Sequence, residues 1–409
     1  MWDHTVEAEL YDIFTSLLRI NSSNPPGNES EVCEYISSIL KKEGIESQIL
    51  SKEQGRGNLV ATLEGGDGMP IILLSHTDVV DADIKQWKFD PFAAVNDGGV
   101  IYGRGALDTK QLTAMQLIAM ILLKREGITL SAPVILVASA DEEKGSTYGM
   151  EYMEAMHKEL LPNSAVISEG GGFVLTQDDK KYRTCTCGEK GHCNITVELF
   201  SESNLAEYML DVLGRLSGYT APETLCGPSR RFMDVAPPPH SDTTLRNLWQ
   251  YSTRSCLAID AFDISFADKQ EMQLKITFQF LPGTSQNEIE TLIKDLLEGS
   301  NASFRVDSFS DGYECDMENP LYKMLVNVTA KYDPGVEMLP ILALGRTDGR
   351  FIRENVYGYS PILEDIPFSQ VLKKVHQADE CITEASLYFG GRVLSETIRS
   401  LLSSDNSEK

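Results

Sequence analysis

Ile71-Ile72-Leu73-Leu74-Ser75-His76-Thr77-Asp78 begins as a short apolar run and ends in a histidine and an aspartate. A run of this length bounded by polar residues fits a strand buried on both faces, as in a parallel sheet. The design returns in Val134-Ile135-Leu136-Val137-Ala138, which leads to Asp141-Glu142-Glu143, and again in Ala165-Val166-Ile167-Ser168-Glu169. Each time the polar side chains follow the strand directly. Open α/β sheets hold ligands in the crevice beyond the carboxyl ends of their strands, so three motifs distant in sequence are expected to converge on one site.

Working outward, residues 6–18 and 31–42 carry helical apolar spacing, and residues 58–63 alternate with period two. Residues 109–124 are apolar nearly all round, which predicts a helix buried against the sheet. The fold class read from this order is α/β. Composition shifts near Gly188-Glu189-Lys190-Gly191 and again near Gly299-Ser300-Asn301. Between them the pattern predicts strand 194–200, helix 205–216, strand 274–280 and helix 287–297, with Ala236-Pro237-Pro238-Pro239-His240 in a long loop. The expected organisation is an α/β domain made of residues 1–188 and 308–409, interrupted by an inserted α+β domain over 189–307. The α/β pattern resumes with helix 320–332, strand 339–344 and helix 384–402.

The 409 residues carry 36 basic and 61 acidic side chains, a formal net charge of −25 that repels nucleic acid phosphates and anionic membrane surfaces. Neither nucleic acid nor membrane is therefore an expected partner. The first residues show no basic region followed by an apolar core, and no stretch reaches the ~20 apolar residues needed to cross a bilayer, so a cytoplasmic location is expected. Eight cysteines fit free thiols in that compartment. Cys185, Cys187, His192 and Cys193 form a local group of soft donors, but they lack the paired spacing of structural zinc.

His76 and Asp78 lie two apart, so on a continuing strand both face one way, and Asp78 is placed to accept from the imidazole and orient it. Asp108 precedes the buried helix, where a carboxylate gains from the helix N-terminus and could also serve as its cap. Glu142 and Glu143 repel each other at the end of a buried strand, a cost that cations relieve. Neighbours on an extended chain point opposite ways, so one of the pair could bind metal while the other acts as general base. Two divalent ions need roughly five protein ligands, one shared, and a separate base for the water they activate.

Ser75-His76-Thr77-Asp78-Val79-Val80, Trp87, Asp90-Pro91-Phe92, the run from Ile101-Tyr102-Gly103-Arg104-Gly105 to Lys110, and Asp141-Glu142-Glu143 together resemble the co-catalytic zinc amidohydrolases and peptidases. That family includes aminoacylase, acetylornithine deacetylase, succinyl-diaminopimelate desuccinylase and glutamate carboxypeptidase. Asn24-Pro25-Pro26-Gly27-Asn28-Glu29 resembles its N-terminal segment. The resemblance implies a zinc-peptidase-like catalytic domain with a mixed central sheet flanked by helices, and an inserted lid and dimerisation domain through which a homodimer would form. It implies two ions, Zn2+ first with Co2+ or Mn2+ as alternatives: one held by His76, Asp108 and Glu169, the other by Asp108, Glu143 and His376. Glu142 would be the general base, with Asp78 supporting catalysis. Gly345-Arg346-Thr347-Asp348-Gly349-Arg350 resembles a family segment whose Arg, here Arg350, is associated with the substrate carboxylate. The substrate class implied is a small N-acyl amino acid or peptide, cleaved at its amide bond.

Departures from the pattern are local. Arg346 and Gln377 each replace a glycine, and Gln279 replaces a common arginine. The histidine that family members carry after the first strand of the inserted domain is missing from Leu199-Phe200-Ser201-Glu202-Ser203-Asn204. His240, followed by Ser241, or His192 is a candidate substitute for the oxyanion donor. An aminopeptidase using the same metal pair, and a metal-binding protein without hydrolase activity, are the competing readings.

Overall fold

The computed structural model describes residues 2–201, 204–265, 270–365 and 368–403, so Glu202 and Ser203 of the stretch without histidine lie outside it. The chain divides into two units, one of residues 1–187, 315–340 and 347–409, the other of residues 188–314 and 341–346.

The first unit opens with helices α1 (His4–Arg19) and α2 (Glu29–Lys42), then strands β1 (Ser47–Ser51), β2 (Gly57–Leu63) and β3 (Ile71–His76). A short pair follows, β4 (Val95–Asp97) and β5 (Val100–Tyr102), before α3 (Lys110–Glu126), β6 (Val134–Ser139), α4 (Met150–Met156), β7 (Ala165–Ser168), β8 (Val174–Gln177) and β9 (Lys180–Glu189). The second unit adds β10 (Gly191–Ser201), α5 (Leu205–Ser217), α6 (Gly227–Val235), α7 (Thr243–Thr253), β11 (Cys256–Ser265), β12 (Gln270–Phe280), α8 (Gln286–Leu296), β13 (Ala302–Ser310) and β14 (Tyr313–Glu314). The chain closes with α9 (Pro320–Tyr332), β15 (Val336–Ala343), β16 (Val356–Gly358), α10 (Phe368–Val371), β17 (Cys381–Thr383) and α11 (Glu384–Leu402).

In the first unit the strand order runs β1-β2-β6-β3-β7-β16-β9. β3 pairs parallel with β6 and β7, and β16 pairs parallel with β7, while β1 and β2 run antiparallel at one side. The sheet is mixed. β3 and β6 are buried along their whole length, the burial their unbroken apolar sequences demand. α3 is buried from Lys110 to Ile121 and packs against α1 and α11. Its first side chain is a lysine without solvent: Lys110 Nζ donates to the carbonyls of Leu17 (3.0 Å) and Ile20 (2.7 Å), capping the end of α1.

The second unit is a four-stranded antiparallel sheet, order β11-β12-β10-β13, with its own core of Ile195, Val197, Leu274, Ile276 and Phe278 against Ile289 and Ile293 of α8. Two strands and two helices were expected here, and β11, β13, α6 and α7 are additional. β13 pairs with β10 over Ala302 to Ser310, so this unit runs on to Glu314.

Candidate metal centre

Three strand ends place the site. β3 ends on His76; β6 ends on Ser139 and leads through Asp141, held in the left-handed region at φ 65°, into a single 3-10 turn that carries Glu142 and Glu143. β7 ends on Ser168, one residue before Glu169. Asp108 stands just before α3, where the helix N-cap is Thr109 and not the aspartate. His376 lies between α10 and β17 with a φ of 63°.

These residues form two groups that share Asp108: His76, Asp108 and Glu169, and Asp108, Glu143 and His376, with ligand atoms in each within 4.8 Å of one another. His76 Nε2 lies 3.0 Å from Asp108 Oδ1 and 3.3 Å from Glu169 Oε2. His376 Nε2 lies 2.9 Å from Asp108 Oδ2 and 3.1 Å from Glu143 Oε2. Glu142 belongs to neither group.

The electrostatics match a site built for positive charge. Burial raises the Glu142 pKa well above the carboxylate range, and the negative charge of Glu169 adds to it. Burial likewise pushes Glu169 up to about 7, with Asp108 and Asp348 contributing. Burial opposes protonation of His76, yet Glu169, Asp108 and Asp78 together raise its pKa well above the usual value. Hydrogen bonds to Asp108 and Glu143 lift His376 to about 10. Burial pushes Asp108 upward, but the two histidines outweigh it and hold the shared carboxylate far below its ordinary range. Glu143 Oε1 is buried without a hydrogen-bond partner among the described residues. Imidazole and carboxylate donors gathered around a shared aspartate, with one buried oxygen unpaired among the described residues, fit bound divalent metal ions.

Behind these side chains lies a layer of buried support. Nδ1 of His76 faces the backbone carbonyl of Asp78 at 3.0 Å, with Asp78 Oδ1 at 3.4 Å. The Asp78 carboxylate also accepts from the backbone N–H groups of Glu142 (3.1 Å) and Glu143 (3.2 Å) and from Asn24 Nδ2 (2.9 Å). It therefore holds the acidic turn as well as contacting the imidazole. Glu380, fully buried, accepts from the backbone of Leu107 (2.6 Å) and Asp108 (3.1 Å) and pairs with Arg104 Nη1 at 2.7 Å, fixing the loop that presents the shared aspartate. Reading by motif missed Glu380, although it ends the same short stretch as His376. It quoted Glu29 and Asp141 within motifs without giving them a role and did not single out Arg56, which joins them in one buried ion cluster.

Arg350 is buried, donating Nη1 to the Thr347 carbonyl (2.6 Å) and Nη2 to Ser146 Oγ (2.9 Å), and its Nη1 stands 3.7 Å from Glu142 Oε1. Asp348 beside it accepts from Ser139 Oγ at 2.6 Å and from Ser146 Oγ. His240 lies in the second unit, buried against Phe232 and Trp249, with neither ring nitrogen hydrogen-bonded among the described residues. Burial, and then Arg246, lower its pKa. His192 is on β10, opposite Gln279 and Ser310. Cys185, Cys187, His192 and Cys193 do not form a ligand group among the described residues.

Residues 72–400 match the family model of Peptidase family M20/M25/M40. A probable succinyl-diaminopimelate desuccinylase of Staphylococcus epidermidis is 34% identical over 171 residues, 41% of this chain and 39% of that protein. The chain thus aligns with only about two fifths of that curated relative. The human N-fatty-acyl-amino acid synthase/hydrolase PM20D1 is 23% identical over 372 residues, covering 79% of this chain and 72% of the relative. Among solved structures, an M20 family metallo-carboxypeptidase from Sulfolobus solfataricus superposes with a TM-score of 0.75 at 18% identity, covering 96% of this chain and 99% of that one.

Proposed function

Because the chain belongs to Peptidase family M20/M25/M40, we propose that it is a two-metal hydrolase that cleaves the amide bond of small N-acyl amino acids or peptides. The observation that carries this reading is Asp108, shared between two histidine–carboxylate groups, with the unliganded Glu142 beside them. His76, Asp108 and Glu169 would hold one cation, and Asp108, Glu143 and His376 the other; the donor set suits Zn2+, with Co2+ or Mn2+ as substitutes. When bound, such a pair lowers the pKa of water and polarises a carbonyl. Glu142 takes the proton from the attacking water and returns it to the leaving nitrogen. Its raised pKa, set by burial, suits a group that must both accept and release a proton.

Arg350, a guanidinium beside the proposed base, is assigned to the substrate carboxylate, which a protein of net charge −25 needs a local cation to hold. The edge strand β11 exposes Phe262 and supports a homodimer formed through the second unit. No helix among the described residues is long and apolar enough to cross a membrane, and a cytoplasmic location fits cysteines that are all free thiols.

The test is metal-stripped protein reloaded with Zn2+ and assayed on N-acetyl amino acids against dipeptides. Glu142→Gln is expected to lower kcat by about 10²–10⁴-fold while both ions remain bound. Unchanged turnover in that variant would remove Glu142 from its role. Activity confined to substrates with a free amine would favour an aminopeptidase.

A further inference from the structure

The acidic turn that carries both the proposed base and a proposed ligand is held from below by a residue far away in sequence. Arg56 is buried and forked: Nε and Nη2 donate to the two oxygens of Glu29, each at 2.8 Å, and Nη2 also reaches Asp141 Oδ1 at 2.8 Å. Asp141 is the left-handed residue, φ 65°, from which the chain turns into Glu142 and Glu143. Its backbone N–H donates to Glu29 Oε1 (3.2 Å), and its carboxylate also accepts from Asn24 Nδ2 (2.8 Å) and the Tyr148 N–H (3.1 Å). The guanidinium lies over the Tyr148 ring at 4.8 Å. Gly27, at φ +87°, closes the other side, where a Cβ would stand 2.4 Å from Arg56 Nε.

We infer that Arg56 is a positioning residue for Glu142 and Glu143, acting through Asp141 to set where the base and the second ligand group stand. The inference rests on the two-metal reading above. The side chains of Glu29 and Asp141 are 0% and 4% exposed, so without the cation two buried carboxylates would face each other. One must then turn away, and the carboxylate of the left-handed Asp141 keeps Asn24 and the Tyr148 N–H but loses its cation. A lysine cannot replace the arginine, because an ammonium does not reproduce a planar fork that joins two carboxylates at once. The first group, His76 and Glu169, hangs on β3 and β7 and meets this contact indirectly, through Asp78, which touches both the imidazole and the turn.

The selective dependence separates positioning from a general structural role. In Arg56→Lys, kcat should fall at least about tenfold with KM nearly unchanged. The second equivalent of Co2+, followed by calorimetry and by its absorption bands, should bind about 10–100-fold more weakly, as for other residues that orient metal ligands, while the first equivalent binds as in the parent. Asp141→Asn keeps the shape and removes the charge partner. It should show the same split, and it decides the matter if the Arg56 variant does not fold. Parent-like kcat and affinities in the folded variant, or equal weakening of both equivalents with a lower Tm and full turnover once loaded, would overturn the inference. A parent protein that fails to bind two ions, or a fully active Glu142→Gln, would instead defeat the two-metal reading, whatever Arg56→Lys does.

Discussion

Lys190 carries an ammonium into the second unit with 2% of its surface exposed. Its Nζ donates to the Arg254 carbonyl at 2.7 Å and lies 3.8 Å from the centre of the Tyr251 ring. These contacts only partly replace water, and burial pulls the pKa from 10.5 down to about 8. Between those values the unfolded chain keeps a proton that the folded chain has released, so resistance to unfolding rises with pH across that window. Below pH 8 both states are charged and the cost is fully present. Stability of the parent relative to Lys190→Met should therefore climb between about pH 8 and 10.5, by at most about 3.5 kcal/mol given about 1.4 kcal/mol per pKa unit. Denaturant midpoints at pH 7, 9 and 10.5 measure this; a pH-independent difference would contradict it.

At the scale of elements, the parallel pair β7 and β16 delivers Glu169. Gly358 ends β16 opposite Ser168, so close that a Cβ would lie 2.0 Å from the Glu169 carbonyl oxygen and 2.0 Å from Thr186 Oγ1. The carbonyl is backbone and cannot yield, and the Thr186 hydroxyl can move aside only by changing rotamer. Gly358→Ala should displace the exit of β7, costing about 1–3 kcal/mol by overpacking. It should weaken the first equivalent of Co2+ before the second, the reverse of Arg56→Lys, in the same stepwise titration. The elements also show why some of the second unit escaped sequence reading. Register shifts after Ile259 in β11 and between Val306 and Ser308 in β13 break the period-two alternation that marks a strand. The unbroken apolar runs of β3, β6 and β7 carry no such interruption.

For the molecule as a whole, every proposed metal ligand lies in the first unit, while the second has a separate core. Ions that bind only the folded site stabilise it by mass action, about 4 kcal/mol at a thousandfold excess over Kd. Calorimetry should show two unfolding steps, with a strong chelator lowering the Tm of one and leaving the other in place. A uniform shift of both would mean that the units unfold as one.

The succession α1, α2, β2, β3, α3, β6 and β7, and the placing of His76, Asp108, Glu142, Glu143 and Glu169 at or just beyond strand ends or before a helix, followed from sequence alone. Burial on both faces demands continuous apolar runs, and the polar residues that interrupt them mark where each strand ends. Only the tertiary structure decided how the acidic turn is held. Glu29, Arg56 and Asp141 meet across separations of 27 and 85 residues, and Glu380 reaches back 273 residues to the Leu107 N–H. A buried ion pair is satisfied by proximity in space, and nothing in the local pattern around either partner records which distant charge will complete it.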